Sequence, residues 1–430
     1  MIKAKLIDID GLKLIYERTN VNNMFSLIPY FRTGSITEND DNCGITHFLE
    51  HMFKKRTTNL TTEQIAEKLR VYIPSYNART GETFMSLDCL ASLRYIDEAI
   101  KLVSDMVQNT KYIDDDVINE SKVIEQEIGR YEIQNSFIAM RNLYKIIYNY
   151  PFVKNHILGT REKVLSYRAC DLQKRHDELV TKENMVLSFA GNVSEEEVVR
   201  LVKKYYNNVP SNKKTKLERP EIKINGKEDI VIHVKPEDNN IIINVALSCN
   251  CTLKEEKQRI LTSFLHRYLN SRGYPMFEIM RNKKALVYSY GTMIDGYDLN
   301  EVFIFSFQSS KENIKECINT LAEIIDDIYT NGIKEIYFND IKQSKIVSYD
   351  ATIDTPYNTA MGNVENYADG LNFFDLEKHL QNIENVTIEE FNEFVKNFFK
   401  SDFVCASLVG NCCADDIQTL DELRAMFYKK

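Results

Sequence analysis

Two histidines and a glutamate share one predicted helix face near residue 50. His47, Glu50 and His51 follow one another at i, i+3 and i+4, which places them on the same side of a helix. The opposite side is apolar and is expected to pack into a core. Two imidazoles four residues apart can hold one metal ion, and the carboxylate beside them can take a proton. The spacing therefore predicts a metal centre with an adjacent general base.

A third metal ligand has to come from another part of the chain, because catalytic zinc sites use three protein ligands and leave one position open. The acidic segment 120–132 offers Glu120, Glu125, Glu127 and Glu132. Glu120 and Glu127 are seven residues apart and share one helix face, whereas Glu125 points to roughly the opposite side. Two aligned carboxylates would suit one ligand and one partner that orients an imidazole.

The order H-x-x-E-H, with these glutamates after it, resembles the pitrilysin-like (M16) zinc metallopeptidases, in particular their short, processing-peptidase-like branch (M16B type). In that family the ligand glutamate follows the second histidine at the separation seen here, 127 − 51 = 76. The resemblance implies one Zn2+ per chain, held by His47, His51 and Glu127. It also implies that Glu50 is the general base and that Glu120 orients one of the ligating histidines.

The resemblance extends to further segments. Residues 34–44 match the family's lead-in to the motif helix, and Asn77 and Ala78 match its substrate-binding strand. In the second half, Arg281 and Tyr288 match a pair that binds the substrate and stabilises the oxyanion. The family places this pair across an enclosed cavity from the zinc ion, in an assembly of two chains. A peptide substrate is therefore expected, with a homodimer or a heterodimer containing a related subunit.

Two pairs of segments recur at almost the same offset along the chain. Segment 188–192 resembles 407–411, with glycines 410 − 191 = 219 residues apart. The strand-to-helix segment at Ser92 resembles the one at Ser310, where 310 − 92 = 218. The expected fold class is α+β, with two homologous domains related by internal duplication. Each domain would be a mostly antiparallel sheet with helices packed on it.

The domain boundaries follow from a polar segment bracketed by prolines. We predict an N-terminal zinc-binding domain at 1–212, a linker at 213–224, and a C-terminal homologous domain at 225–430 that carries the Arg/Tyr segment.

An offset of 219 predicts what became of the motif in the second copy. Glu50 would correspond to Leu269 and His51 to Asn270, so the second half would have lost its metal site. His266 is then expected to be an ordinary surface or core histidine.

Local patterns predict the elements around the motif. Residues 3–36 are expected to form two or three strands, and the polar run 39–42 offers N-cap residues for the motif helix. A strand is expected within 75–92, and helices over 96–106 and from 115 to about 147.

Composition limits the classes of partner. The 430 residues carry a formal net charge of −9, which disfavours nucleic acid and anionic membranes as partners. No apolar run approaches the roughly 20 residues of a membrane span, and the N-terminal segment lacks the apolar core of a signal peptide. Nine scattered cysteines favour reduced thiols and a cytoplasmic location.

The sequence thus predicts a zinc-dependent endopeptidase that cleaves unfolded peptides or leader segments within an enclosed cavity. Two alternatives stay open. One is a non-catalytic peptide-binding or scaffold subunit of an M16-type heterodimer, which zinc content would discriminate. The other is a zinc hydrolase that acts on something other than peptides. The sequence does not predict the physiological substrate.

Overall fold

The computed structural model describes residues 3–21, 23–211, 222–297, 300–352 and 355–428. The chain forms two compact units, each assembled from three chain segments. The first unit comprises Met1–Gly129, Asn155–Pro220 and Tyr349–Leu376. The second unit comprises Arg130–Lys154, Glu221–Ser348 and Glu377–Lys430.

The first unit is built on a six-stranded sheet. Its strands are β1 (Lys5–Ile9), β2 (Leu12–Arg18), β3 (Met24–Phe31), β4 (Ser75–Thr80), β5 (Met85–Ser92) and β6 (Met185–Gly191). They lie in the order β1-β2-β6-β3-β5-β4, with β2 and β6 parallel and the other neighbours antiparallel. The strands predicted within 3–36 and 75–92 are confirmed, the latter as the hairpin of β4 and β5. Strand β4 forms one edge of the sheet.

The second unit is built on a five-stranded sheet. Its strands are β7 (Ile230–Val234), β8 (Ile241–Ser248), β9 (Val287–Tyr297), β10 (Asn300–Ser309) and β11 (Val404–Gly410). They lie in the order β7-β11-β8-β10-β9, again with one parallel pair, β7 with β11. This order repeats β2-β6-β3-β5-β4 strand for strand. The predicted α+β fold with two related domains is therefore confirmed.

The helices are numbered along the chain. They are α1 (Ile45–Met52), α2 (Thr62–Tyr72), α3 (Ile96–Gln108), α4 (Asp114–Glu132), α5 (Asn135–Ile147), α6 (Pro151–Asn155), α7 (Arg161–Ser166), α8 (Ala169–Leu179), α9 (Glu195–Tyr205), α10 (Glu256–Asn270), α11 (Ile314–Asn331), α12 (Glu335–Thr352), α13 (Pro356–Ala368), α14 (Leu376–Asn385), α15 (Ile388–Phe398) and α16 (Leu420–Phe427). None of the helices in the described ranges is long and apolar enough to cross a membrane.

Each sheet is packed against one helix from the opposite half of the sequence. In the first unit α13 packs on β3 and β6, and in the second unit α5 packs on β8 and β11. Each of the two helices accepts an equivalent hydrogen bond from a serine of its sheet. Ser188 Oγ donates to the carbonyl of Ala360 over 2.7 Å, and Ser407 Oγ donates to that of Ala139 over 2.6 Å. The serines are 407 − 188 = 219 residues apart and the alanines 360 − 139 = 221, so the two contacts are equivalent.

This exchange of helices was not part of the predicted linear division into 1–212 and 225–430. Both compact units contain one segment from the other half of the chain. Most of the predicted linker at 213–224 lies outside the described residues.

Burial along α1 and α10 shows how the two helices correspond. The buried residues at 48, 49, 52 and 53 match those at 264, 265, 268 and 269, at an offset of 216. Strands β3 and β8 keep this offset, since Leu27 of β3 corresponds to Ile243 of β8 and 243 − 27 = 216. The two residues occupy equivalent places in their sheets, because Leu27 pairs with Cys89 and Ile243 pairs with Phe307.

The predicted correspondence of Glu50 with Leu269 and of His51 with Asn270 was therefore wrong. Leu269 is completely buried, whereas Glu50 lies on the half-exposed side of α1. An offset of 216 pairs Glu50 with His266 instead, so the second copy still lacks the motif.

Candidate metal centre

Helix α1 is preceded by Gly44, at a tight turn where only a glycine fits. Gly44 has a φ of 81°, and a Cβ at this position would lie 2.5 Å from the carbonyl oxygen of Leu158. The Glu38 carboxylate accepts from the backbone N–H of Gly44 over 2.7 Å and from that of Thr46 over 2.8 Å. The predicted capping by residues 39–42 was wrong, because this buried carboxylate takes the donors of the first turn.

A buried arginine supports the same turn. Arg175 on α8 is 3% exposed, and its Nη2 donates to the hydroxyls of Thr37 and Thr46 over 2.8 and 2.9 Å. Burial raises the pKa of Glu38, and the positive charge of Arg175 opposes this rise. Because a buried charge is costly without partners, these two side chains fix the start of α1 relative to α8.

The two motif histidines and Glu127 converge. Their ligand atoms all lie within 4.8 Å of one another, and across the described residues this is the one such group of three. Glu127 Oε2 is 3.9 Å from His47 Nε2 and 3.6 Å from His51 Nε2. Ligand atoms of a tetrahedral zinc ion are about 3.3 Å apart, given bond lengths near 2 Å. Two imidazoles and a carboxylate that converge to within 4.8 Å are a donor set that fits zinc, once the three side chains draw closer together than they are here.

His47 is held in the form that a metal ligand needs. Burial lowers its pKa well below the usual range, and neighbouring His51 lowers it further. Its Nδ1 atom is buried without a hydrogen-bond partner in the described part of the chain. A neutral imidazole keeps the lone pair that coordination requires.

Glu120 orients the second histidine. Its Oε1 lies 2.8 Å from His51 Nδ1, and its Oε2 lies 2.5 Å from Lys55 Nζ. Burial raises the pKa of the Glu120 carboxyl, but the hydrogen bonds from His51 and Lys55 outweigh this and lower it. The ionised carboxylate therefore accepts from Nδ1 and leaves His51 Nε2 facing Glu127.

Glu50 is held by the edge strand of the first sheet. Thr80 Oγ1 in β4 donates to Glu50 Oε2 over 2.8 Å. Burial raises the pKa of Glu50, and the charge of His51 and the Thr80 hydrogen bond reverse part of this rise. A carboxyl with a raised pKa binds a proton more readily, which suits a general base.

The remaining predicted residues fall into two groups. Asn77 and Ala78 lie in β4 of the first unit. Arg281 and Tyr288 lie in the second unit, where Arg281 Nη1 donates to the carbonyl oxygen of Tyr288 over 2.6 Å. The guanidinium carbon of Arg281 is 5.9 Å from the centre of the Tyr288 ring, and Tyr288 is 73% exposed.

Three residues at this centre had no predicted role. Lys55 follows His51 by four residues, so its place on the motif face could have been found from helical spacing. Thr80 could have been placed on the edge strand, but its bond to Glu50 depends on how α1 packs. The buried Arg175 has no local sequence signal that separates it from a surface arginine.

Two family models match the chain, one in each half. "Insulinase (Peptidase family M16)" matches residues 13–161, and "Peptidase M16 inactive domain" matches residues 168–345. Together the matches cover most of the chain, and the duplicated fold and the converging ligands agree with them. The chain belongs to peptidase family M16.

Individual relatives and solved structures agree with this assignment. The chain is 22% identical over 402 residues to an uncharacterized zinc protease of Bacillus subtilis, covering 92% of this chain and 96% of that protein. It is 28% identical over 206 residues to a probable mitochondrial-processing peptidase subunit beta of Arabidopsis thaliana, covering 48% of this chain and 39% of that protein. The fold matches the crystal structure of a protease from Helicobacter pylori with a TM-score of 0.85, at 14% identity over 95% of this chain and 99% of that one.

Proposed function

We propose that this chain is a zinc-dependent endopeptidase whose catalytic centre lies on α1. The convergence of His47, His51 and Glu127, with Glu120 held against His51, carries the proposal. This donor set matches catalytic zinc sites, which use three protein ligands. The relatives named as zinc proteases support the same conclusion.

Zinc held by these ligands would supply the Lewis acidity for attack of water on a peptide carbonyl. Glu50 would take the proton from the attacking water and pass it to the leaving amine. Thr80 fixes Oε2 of Glu50, so the other carboxylate oxygen is the one available for the proton. Glu120 keeps the coordinating nitrogen of His51 aimed at the centre by holding its opposite nitrogen.

The substrate is proposed to bind as an added strand along β4. This strand forms an edge of its sheet and carries Thr80, which contacts the proposed base. An extended peptide on such an edge is bound through main-chain hydrogen bonds, with little dependence on sequence. Asn77 and Ala78 would contact it from the middle of the strand. A folded protein offers few free extended segments, so unfolded peptides or leader segments are the expected substrates.

The second unit is proposed to contribute Arg281 and Tyr288 by resemblance to the family. Tyr288 would stabilise the oxyanion and Arg281 would bind a carbonyl or carboxylate of the substrate. The bond from Arg281 to the Tyr288 backbone would hold the pair together. Relatives named as mitochondrial-processing peptidase subunit beta favour assembly with a second M16 chain, identical or related.

Cleavage of a library of unstructured peptides, followed by mass spectrometry, tests this function. We expect cleavage with zinc present, loss of cleavage after chelation, and recovery when zinc is restored. A tightly folded protein of similar length serves as the control and should stay intact. Cleavage that persists in zinc-free protein would contradict the proposal.

A further inference from the structure

Two cysteines of the second unit bring their sulfur atoms together. Cys249 and Cys251 follow the end of β8, and their Sγ atoms lie 3.8 Å apart. Both side chains are half-buried, so the sulfurs lie near the surface without being fully exposed. The proposed peptidase mechanism uses neither residue.

Backbone hydrogen bonds hold this dithiol segment against the chain at the end of α15. The N–H of Ser248 donates to the carbonyl oxygen of Phe403 over 3.3 Å, and the N–H of Asn250 donates to that of Phe398 over 3.3 Å. The residues on both sides of Cys249 are therefore held in place. The segment cannot turn its two thiols apart without breaking these bonds.

The shared fold does not require thiols at these positions. Strands β3 and β8 and helices α1 and α10 share the offset of 216, so the segments between them align without a gap. At this offset Cys249 corresponds to Thr33 and Cys251 to Ser35, and both of these hydroxyl residues are buried. Thr33 Oγ1 lies 3.0 Å from the hydroxyl of Thr37, so the first copy uses this position for a local hydrogen bond. The dithiol is therefore a difference between the copies.

The separation of the sulfur atoms suits a single bound ion. Thiolates bind zinc at about 2.3 Å, and at such bond lengths one ion can contact two sulfurs that are 3.8 Å apart. A disulfide bond would instead require about 2.05 Å, which is much shorter than the observed contact. Thiolates are soft ligands and select soft cations, in particular Cu⁺ and Zn²⁺.

The number of available ligands discriminates between these two cations. Zinc is held by four protein ligands in structural sites and by three in catalytic sites. Among the described residues, no His, Cys, Asp or Glu completes a group of three with Cys249 and Cys251. Two thiolates suffice for Cu⁺, because it carries a single charge and bonds strongly to a few soft ligands. The ligand set therefore favours Cu⁺.

A second pair of neighbouring cysteines lacks these features. Cys412 and Cys413 are adjacent in the sequence, but Cys412 is 2% exposed, and burial raises its pKa to about 11. A thiol that stays protonated is a poor metal ligand, because the thiolate is the form that coordinates. Proximity in the sequence is therefore insufficient to make a dithiol site.

We propose that Cys249 and Cys251 bind one Cu⁺ ion through their two thiolates. Binding releases the protons of both thiols, and each sulfur donates a lone pair to the ion. The site is independent of the proposed zinc centre, which uses nitrogen and oxygen ligands of the first unit.

Competition with a chromophoric Cu⁺ chelator, on the full chain under anaerobic reducing conditions, tests the proposal. Cys249→Thr and Cys251→Ser introduce the residues of the first copy, and circular dichroism verifies that both variants are folded. Each should weaken Cu⁺ binding at least about 100-fold, because a single thiolate remains. The control Cys170→Ser/Cys413→Ser lacks two exposed cysteines and should bind Cu⁺ like the unmodified chain. Equal affinity for Cu⁺ in all of these proteins would refute the site.

Alkylation mapped by mass spectrometry locates the bound ion and identifies it. With Cu⁺ present, Cys249 and Cys251 should react with iodoacetamide at least about tenfold more slowly, whereas Cys170 should react at an unchanged rate. Unprotected Cys249 and Cys251 in Cu⁺-loaded protein would place the ion elsewhere and contradict the proposal. Equal protection by Zn²⁺ at a lower free concentration than Cu⁺ would assign the pair to a divalent ion and overturn the choice of Cu⁺.

Discussion

Helices α1 and α10 hold the same place in two copies of one sheet topology, and they differ in what their polar faces carry. Both bury the same apolar pattern, at 48, 49, 52 and 53 and at 264, 265, 268 and 269. Both also contact the edge strand of their sheet. Glu50 bonds to Thr80 of β4, and His266 Nδ1 lies 2.8 Å from Thr292 Oγ1 of β9. The polar residues His47, Glu50 and His51 of α1 correspond to Ser263, His266 and Arg267 of α10.

The carboxylates that α4 contributes to the centre are replaced in the second copy as well. Helices α4 and α12 begin 335 − 114 = 221 residues apart. At this offset Glu120 corresponds to Ile341, which is completely buried, and Glu127 corresponds to Ser348. The second copy has therefore kept the apolar packing and replaced every residue proposed to build the metal centre. Packing constrains one side of each helix, while chemistry is carried by a few residues on the other.

The largest expected effect on zinc binding comes from removing the proposed ligand His51. The matched control removes His266, the residue of the second copy that corresponds to Glu50. His51→Ala should reduce zinc affinity by roughly 100-fold or more, because a three-ligand site loses one of its ligands. His266→Ala, on α10, should leave zinc affinity unchanged. Competition with a chromophoric chelator measures both. Equal losses in the two variants would contradict the assignment of the metal to the first copy alone.

A second difference concerns pH-dependent stability. His176 of α8 corresponds to Val395 of α15, at the offset of 219, and both are buried. Burial lowers the pKa of His176 to about 4, with Asp177 opposing the shift, and its Nδ1 lies 2.8 Å from the Tyr112 hydroxyl. Between pH 6.5 and 4 the unfolded chain binds the extra proton, so stability is complete above pH 6.5 and falls as the pH drops.

Replacing this histidine should therefore remove part of the acid sensitivity. The fall attributable to His176 between pH 6.5 and 4 is about 3 kcal/mol at most. Thermal unfolding of zinc-free protein across this range should show a shallower pH dependence for His176→Val than for the unmodified chain. An unchanged pH dependence would show that His176 does not titrate as its burial requires.

The third prediction tests whether Glu120 orients the proposed ligand His51. Glu120→Gln should weaken zinc binding by about 10- to 100-fold, because the amide cannot replace the ionised acceptor for His51 Nδ1. Glu125→Gln is the matched control on the same helix, since Glu125 pairs with Arg161 near the surface. Chelator competition distinguishes the two. If both variants bind zinc equally well, Glu120 has no role in orienting the ligand.

The smallest effect tests what the copies share. Ser188→Ala and Ser407→Ala should each lower the free energy of unfolding by about 1 kcal/mol, because each loses one buried hydrogen bond to an exchanged helix. Urea unfolding of the two variants, against the unmodified protein, provides the measurement. A large loss for one serine and none for the other would show that the two helix contacts are not equivalent.

The sequence was sufficient for the parts of the fold that leave local periodic signals. Helical spacing placed His47, Glu50 and His51 on one face, and recurring segments predicted two related sheets. The spacing of Glu120 and Glu127 reduced the candidates for the third ligand to these two residues. The choice of Glu127 between them depended on resemblance to the family.

Other features depend on packing that no local pattern encodes. Helices α5 and α13 are amphipathic, and amphipathicity does not specify which sheet a helix covers. The cap from Glu38 and the support from Arg175 depend on buried side chains brought together from distant parts of the chain. The correspondence of Glu50 with His266 could be found only from the pattern of buried residues in the structure. The sequence alone does not give it, because the offset between the copies varies from 216 to 221 along the chain.

The most direct test of the account is one paired measurement on Glu50→Gln, comparing its zinc content with its rate of peptide cleavage. We expect the variant to bind about one zinc ion per chain, because Glu50 is not a proposed ligand. Its cleavage rate should fall by about 10²- to 10⁴-fold, the usual contribution of a general base. Cleavage at the unmodified rate by zinc-loaded Glu50→Gln protein would contradict the proposed mechanism.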